Sequence, residues 1–241
     1  RAMLWPEPSG ILSMTATAAR NWIRLARQHP SALLLAVQLL GVLLYPAMED
    51  TQAGRAMFGA FGILVLSLAL WVVNRSPLVN WVAWVLALPS VTLSIFAALS
   101  GRADLVAVIH LLEGMLYLYA AFGLIAYMLR DHRVSLDELF AAGATFTLLA
   151  WAFAYSYSVC QQWFPGSFIA AVEPDAPRTW MELLFLSFST LSGVGLSDII
   201  PIRPQARALV MLEQFAGVMY IALVVSRLIG LTVLRAPPRR E

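Results

Sequence analysis

Long apolar runs separated by short polar breaks dominate the chain. They fall at roughly 32–45, 57–73, 78–99, 105–129, 136–163 and 206–234. Some reach the roughly 20 residues needed to cross a hydrocarbon core only with their flanks. A helix apolar on every side is buried in protein or in lipid, so the pattern predicts an all-α membrane protein with six transmembrane helices. The breaks carry Pro46, Gly54, Pro77, Gly101 and the run from Arg130 to Arg133, while Pro89 inside the third run predicts a kink.

Between the fifth and sixth runs lies a stretch of another kind, Thr179 to Pro201, reading TWMELLFLSFSTLSGVGLSDIIP. Thr179 followed three residues later by Glu182 is a capping box, which opens a helix by satisfying its first backbone N–H groups. Apolar residues then continue without glycine to Leu191 and Ser192. About 12 helical residues at roughly 1.5 Å each give a rod of about 18 Å, half a membrane. Such a re-entrant helix brings its negative C-terminal end to mid-bilayer, where it favours a cation. Non-helical backbone at that depth must be buried in protein or line a watery path. Gly193-Val194-Gly195-Leu196-Ser197 supplies such backbone, with glycines free to adopt the dihedrals that turn carbonyl oxygens toward one axis.

Ser187, Phe188, Thr190, Leu191, Val194, Gly195, Asp198 and Pro201 match the pore signature Ser-Phe-x-Thr-Leu-Thr-Thr-Val-Gly-Tyr-Gly-Asp with a nearby Pro. The segment resembles the tetrameric potassium-channel superfamily, in its six-span, pore-loop bacterial form. The resemblance implies an ion filter at Gly193, Val194, Gly195, Leu196 and Ser197, supported by Thr190, Ser192, Asp198, Glu182 and Ser189. It implies a permeant monovalent cation, K+ first, with no cofactor and no metal beyond the permeant ions. One such motif per chain implies a homotetramer, each chain partnered by three identical subunits and the lipid bilayer. Three filter positions depart from the signature: Gly193 replaces a Thr, Leu196 a Tyr and Ser197 a Gly. Ser197 is expected to cost on the order of 1 kcal/mol if held left-handed. Phe185, Leu186 and Ser189 stand where many relatives carry Trp or Glu.

Composition agrees: 60% of residues are hydrophobic and 12% charged. All 16 basic residues are Arg and the net charge is only +2, which gives no argument for nucleic acid. The single Cys160 excludes an intrachain disulfide. No Ser/His pair, paired Asp across spans, HExxH or cysteine with a candidate base suggests an enzyme. With both termini cytoplasmic, Arg1, Arg20, Arg24, Arg27, Arg75, Arg130, Arg133, Arg235, Arg239 and Arg240 lie inside, against Arg55, Arg102, Arg178, Arg203 and Arg207 outside. This places the Asp198 end of the filter outside, the orientation of the superfamily, in a plasma membrane of the bacterial inner-membrane type.

The expected organisation is a tail and amphipathic juxtamembrane helix at 1–30, a four-span domain at 31–133, a pore domain at 134–235 and a short tail at 236–241. In the first part Arg20, Arg24 and Arg27 share a helix face, suited either to an anionic membrane surface or to plain solvation. The seven residues after Leu234 leave no room for an appended cytoplasmic domain, so gating by one in cis is not expected. The fourth run has no Arg between Arg102 and Arg130, so steep voltage gating is not expected either.

His110 and Glu113 share a face of the fourth run; they are a possible proton sensor or, the favoured reading, a polar pair satisfied by a neighbouring span. Gly217 lies where relatives carry a gating-hinge glycine, and a small residue for close packing is the equal alternative. Glu213, one turn earlier, either braces the pore helix or adds negative potential. Arg227 either faces the pore, opposing cations, or pairs with Asp137 or Glu138, as we favour. The loop 161–178 reads as a turret or as an ordinary solvated loop. Set against a conducting channel is a non-conducting structural or regulatory relative, its filter collapsed or its gate shut by Arg227.

Overall fold

The computed structural model describes residues 29–49, 80–130 and 135–235, with most of 61–72. Its helices are α1 (Pro30–Glu49), α2 (Asn80–Ser100), α3 (Val106–Leu129), α4 (Leu136–Trp163), α5 (Trp180–Leu191) and α6 (Pro204–Arg235); a 3-10 turn at Ala103–Leu105 leads into α3. The described positions of 61–72 are helical as well. The basic segment with Arg20, Arg24 and Arg27, parts of the run 57–73, the break at 131–133 and the tail 236–241 lie outside the described residues.

Among the described residues three helices are long and apolar enough to cross a membrane: Val106–Leu129, Leu136–Trp163 and the Pro204–Arg227 part of α6. The apolar stretches of α1 and α2, Pro30–Pro46 and Trp81–Ala97, are shorter. Pro46, expected in a linker, lies inside α1. It sits near the helix end, where a proline costs the ladder one N–H and the remaining turn can still close. Gly101 does end α2 as expected, at φ 66°, a left-handed conformation that glycine adopts without a Cβ penalty.

Helix α4 is the hub, packing against α1, α3, α5 and α6. Ser135 opens it, its hydroxyl accepting from the Glu138 N–H at 3.2 Å, with Asp137 and Glu138 in the first turn where the helix dipole favours negative charge. Thr145, Thr147 and Ser156 donate to carbonyls one turn back, at Ala141, Gly143 and Ala152. Their hydroxyls are thus satisfied without leaving the helix. At the same end of α4, Asp137 accepts from the Ser31 N–H (3.1 Å), the Ser31 hydroxyl (3.0 Å) and the Tyr127 hydroxyl (3.2 Å), tying α1 and α3 to it.

A block of rings joins four helices at the start of α5. Trp180 lies 5.4 Å from Tyr45 of α1 and 5.3 Å from Trp151 of α4, ring centre to ring centre. Tyr117 of α3 stacks on Tyr155 at 5.5 Å and meets Trp151 edge-on at 5.4 Å. Such pairs add about 0.5–1.5 kcal/mol each beyond burial, and together they fix where α5 enters.

Candidate functional site

Helix α5 is built as its sequence predicts. Thr179 accepts from the Glu182 N–H at 3.3 Å and the Glu182 carboxylate accepts from the Thr179 N–H at 2.6 Å, completing the capping box. The twelve-residue helix ends at Leu191, and Gly193 follows at φ 75° with its N–H on the Thr190 carbonyl at 3.0 Å. Gly193, which takes the place of a Thr, therefore serves as the left-handed residue that stops the helix. Gly195, at φ 71°, donates to the Ser189 carbonyl at 3.1 Å. A trans peptide points its N–H and C=O in opposite directions. Because the Gly193 and Gly195 N–H groups turn back onto α5, the Ser192 and Val194 carbonyls point away from it.

Ser197 corrects one expectation. Its φ is not positive; the left-handed residues of this segment are Gly193 and Gly195. The Ser197 hydroxyl instead accepts from the Ile199 N–H at 3.1 Å, a local turn that needs no glycine. The expected strain at Ser197 is therefore absent. Val194 and Leu196 are 70% and 71% exposed in the single chain. Beyond the filter, Ile200 pairs with Ile169 and Pro201 with Phe168 in a two-stranded ribbon, β1 (Phe168–Ile169) with β2 (Ile200–Pro201). The ribbon anchors the outgoing strand to the loop after α4.

The support residues divide. Thr190 and Ser189 are buried, and Ser192 donates to the Ser189 carbonyl at 3.2 Å. Asp198 is exposed, and with Glu182, Phe185, Phe188, Leu39 and Val42 it borders an apolar groove of about 360 Å³ between α1 and α5.

Glu213 sits behind α5, fully buried. Both Tyr157 of α4 and Ser187 of α5 hydrogen-bond its carboxyl group, and the Ser187 hydroxyl also lies 2.8 Å from the Ala150 carbonyl. Of the two readings open for Glu213, the geometry is that of the brace. One turn on, a Cβ at Gly217 would lie 2.1 Å from the Leu191 carbonyl oxygen and 2.9 Å from its carbon. Glycine is required there because two backbones touch, which is the close-packing alternative. Glu213 to Gly217 on α6 and Ser187 to Leu191 on α5 are matching one-turn steps, so the two helices meet at two successive levels.

Arg227 reaches Glu138 of α4 at 3.4 Å, with the two side chains 15% and 8% exposed. In the single chain it is turned to α4, and Asp137 is engaged by Ser31 and Tyr127. His110 and Glu113 do not meet each other. The His110 Nδ1 lies 2.8 Å from the Ser158 hydroxyl, and Glu113 hydrogen-bonds Tyr155. Both partners belong to α4, the arrangement of a pair satisfied by its neighbour.

Arg178 went unremarked in the sequence beyond its side of the membrane. It is 5% exposed and donates to the Val172 (3.3 Å), Glu173 and Ala176 carbonyls and to Glu182 (3.2 Å). Gln161 holds its backbone at both N–H (3.0 Å) and C=O (2.8 Å). The loop 161–178 is therefore wrapped on a buried guanidinium. The readable signal was the i,i+4 spacing of Arg178 and Glu182 across the capping box. Tyr157, the other omission, carried no motif.

Residues 114–233 match the ion-channel family, a stretch running from within α3 through α4, α5 and the filter into α6. The chain belongs to this ion-channel family. The match supports the membership in the potassium-channel superfamily that the pore motif suggests, and such a family implies transport. No curated protein and no solved structure matches the chain. The matched stretch thus takes in α4, α5 and most of α6 of a membrane ion channel.

Proposed function

We propose that this ion channel is a homotetrameric cation channel, passing K+ or monovalent cations through a pore lined by the Gly193–Ser197 backbone of four chains. One observation carries the reading: α5 ends on a filter segment whose Ser192 and Val194 carbonyls turn outward onto a side that the single chain leaves open. Helix α6 supports it. Its covered positions, Ala206, Val210, Glu213, Gly217 and Tyr220, form one narrow stripe against α4 and α5. Met211, Leu212, Phe215, Val218 and Met219 are apolar and exposed, a surface suited to other copies of the chain and to the pore. With the first four runs as additional spans, the layout is that of six-span members, cytoplasmic at both ends and seated in a bacterial inner membrane. The Arg227–Glu138 pair speaks against a pore blocked by Arg227.

The test is ion flux from liposomes holding the purified protein, under potassium, sodium and chloride gradients in parallel, with Gly195→Asp as control. Potassium flux lost in the control is the expected result. Equal potassium and sodium flux replaces selectivity by weakly selective conduction, while chloride flux or silence under every gradient refutes the reading.

A further inference from the structure

We propose that Glu213 is held as a neutral carboxylic acid and that its proton completes a clamp positioning the pore helix. The role of the clamp in conduction rests on the Gly193–Ser197 filter reading; the protonation does not.

The inference comes from counting protons. Three close oxygen–oxygen contacts meet at this point: Tyr157 hydroxyl to Glu213 Oε2, Ser187 hydroxyl to Glu213 Oε1, and Ser187 hydroxyl to Ala150 carbonyl at 2.8 Å. Tyr157 and Ser187 bring one hydroxyl proton each. A carbonyl brings none, so with an ionised carboxylate one of the three contacts would set lone pair against lone pair. Placing the third proton on Glu213 Oε1 resolves all three. Tyr157 then donates to Oε2, Glu213 donates to Ser187, and Ser187 donates to Ala150.

The surroundings agree. Glu213 is fully buried, and the ion pairs among the described residues lie elsewhere, at Arg102–Asp104, Arg178–Glu182 and Arg227–Glu138. The adjoining apolar cluster includes Tyr157 and Cys160 from α4, Phe168 from β1, Leu183 and Leu186 from α5, and Val210 from α6. Its titratable members are Tyr157 and Cys160, both neutral acids; Cys160 is directed to Ser167 at 3.7 Å. Among the described residues Glu213 joins no ion pair, and a lone carboxylate in such a place is strongly disfavoured.

The chain of donors runs from α4 through α6 to α5 and back to α4. Deprotonation turns the Ser187 hydroxyl toward the carboxylate as a donor, which leaves the Ala150 carbonyl without it and removes the direct α5–α4 hydrogen bond one turn above Leu191 and the filter. Because the clamp depends on that proton, removing it at alkaline pH loosens the clamp. One pH unit above its midpoint, about one clamp in ten is still protonated.

The experiment pairs flux with infrared spectroscopy on full-length native protein, Glu213→Gln and Ser187→Ala. A carboxamide donates to Ser187 and accepts from Tyr157 as the neutral acid does, but cannot lose the proton. The expected results are potassium flux in the native channel that falls about tenfold through alkaline pH, flux in Glu213→Gln within about threefold of native at neutral pH and flat where native falls, and a loss of alkaline sensitivity in Ser187→Ala. A protonated-carboxyl stretch present in native protein at neutral pH and missing from Glu213→Gln is expected whether or not the protein conducts. Identical alkaline profiles in native and Glu213→Gln overturn the clamp; identical carboxyl spectra overturn the protonation. Silent liposomes with the carboxyl band present refute the channel reading alone.

Discussion

Replacing Gly217 by alanine separates two roles that predict opposite outcomes. If Gly217 is chiefly a hinge, alanine stiffens α6 and contributes about 1 kcal/mol of helix propensity, leaving the resting structure intact. The structure gives the other sign. The new methyl would stand 2.1 Å from the Leu191 oxygen, 2.9 Å from its carbonyl carbon and 3.0 Å from its Cα. Carbon and oxygen touch comfortably at more than 3 Å, so α5 and α6 must separate by roughly 1 Å along this line. The obstacle is backbone on both sides, leaving no flexible side chain to yield. Overpacking of a well-filled interior costs about 1–3 kcal/mol, which outweighs the propensity gain. Separation also pulls on the Glu213–Ser187 contact one turn away and on the Leu191 end from which the filter departs. Thermal unfolding in detergent should show a lowered Tm, and potassium flux in liposomes should fall with it. Native or raised thermal stability, together with normal flux, would falsify the close-contact account and return Gly217 to the hinge role.

Three further expectations follow from the same geometry. Arg227→Glu alone should destabilise by about 3–5 kcal/mol, since it leaves a buried carboxylate facing another; the double exchange with Glu138→Arg should restore most of it, as read by Tm, and failure of the double variant to recover removes the pair. Arg178→Ala leaves several loop carbonyls without a donor at about 1–3 kcal/mol for each that stays buried, so limited proteolysis should cut between 164 and 178, with Arg178→Lys a poor rescue because an ammonium cannot span the same acceptors. His110→Ala should leave the pH dependence of flux unchanged, because the ring is engaged with Ser158; a shifted profile would restore the sensor reading.

What was legible in the sequence was local. The capping box at Thr179 and Glu182, the length of α5 and the limits of α4 depend on neighbours a few residues apart, so spacing alone revealed them. The same holds for the contrast between glycine-bearing filter and apolar helix. Contacts across helices were legible only where a charge demanded a partner, as Arg227 did. Even there Asp137 and Glu138 were indistinguishable by spacing; Ser31 and Tyr127, distant in sequence, decide by taking Asp137. Tyr157 was illegible because a tyrosine among the aromatic residues of α4 looks like core, and its hydroxyl acquires meaning only opposite Glu213. Ser197 was misjudged by carrying the family's glycine geometry onto a residue whose own hydroxyl offers the backbone another turn.

These contacts also locate where α6 is held. From its outer end α6 is held by the Glu213 hydrogen bonds, by the backbone approach at Gly217, by the Tyr220 hydroxyl on the Ala142 carbonyl at 2.5 Å, and by Arg227 on Glu138. The Tyr157, Tyr220 and Arg227 contacts are with α4, and the Ser187 and Gly217 contacts are with α5, so over this length α6 is tied to both helices. A Cβ placed at Gly230 meets nothing within 4 Å. Among the described residues of the single chain, glycine there serves no close approach, and it weakens the helix by about 1 kcal/mol relative to alanine. Movement of α6 short of Arg227 would have to break the Arg227–Glu138 pair and pull on α5 through Glu213 and Gly217.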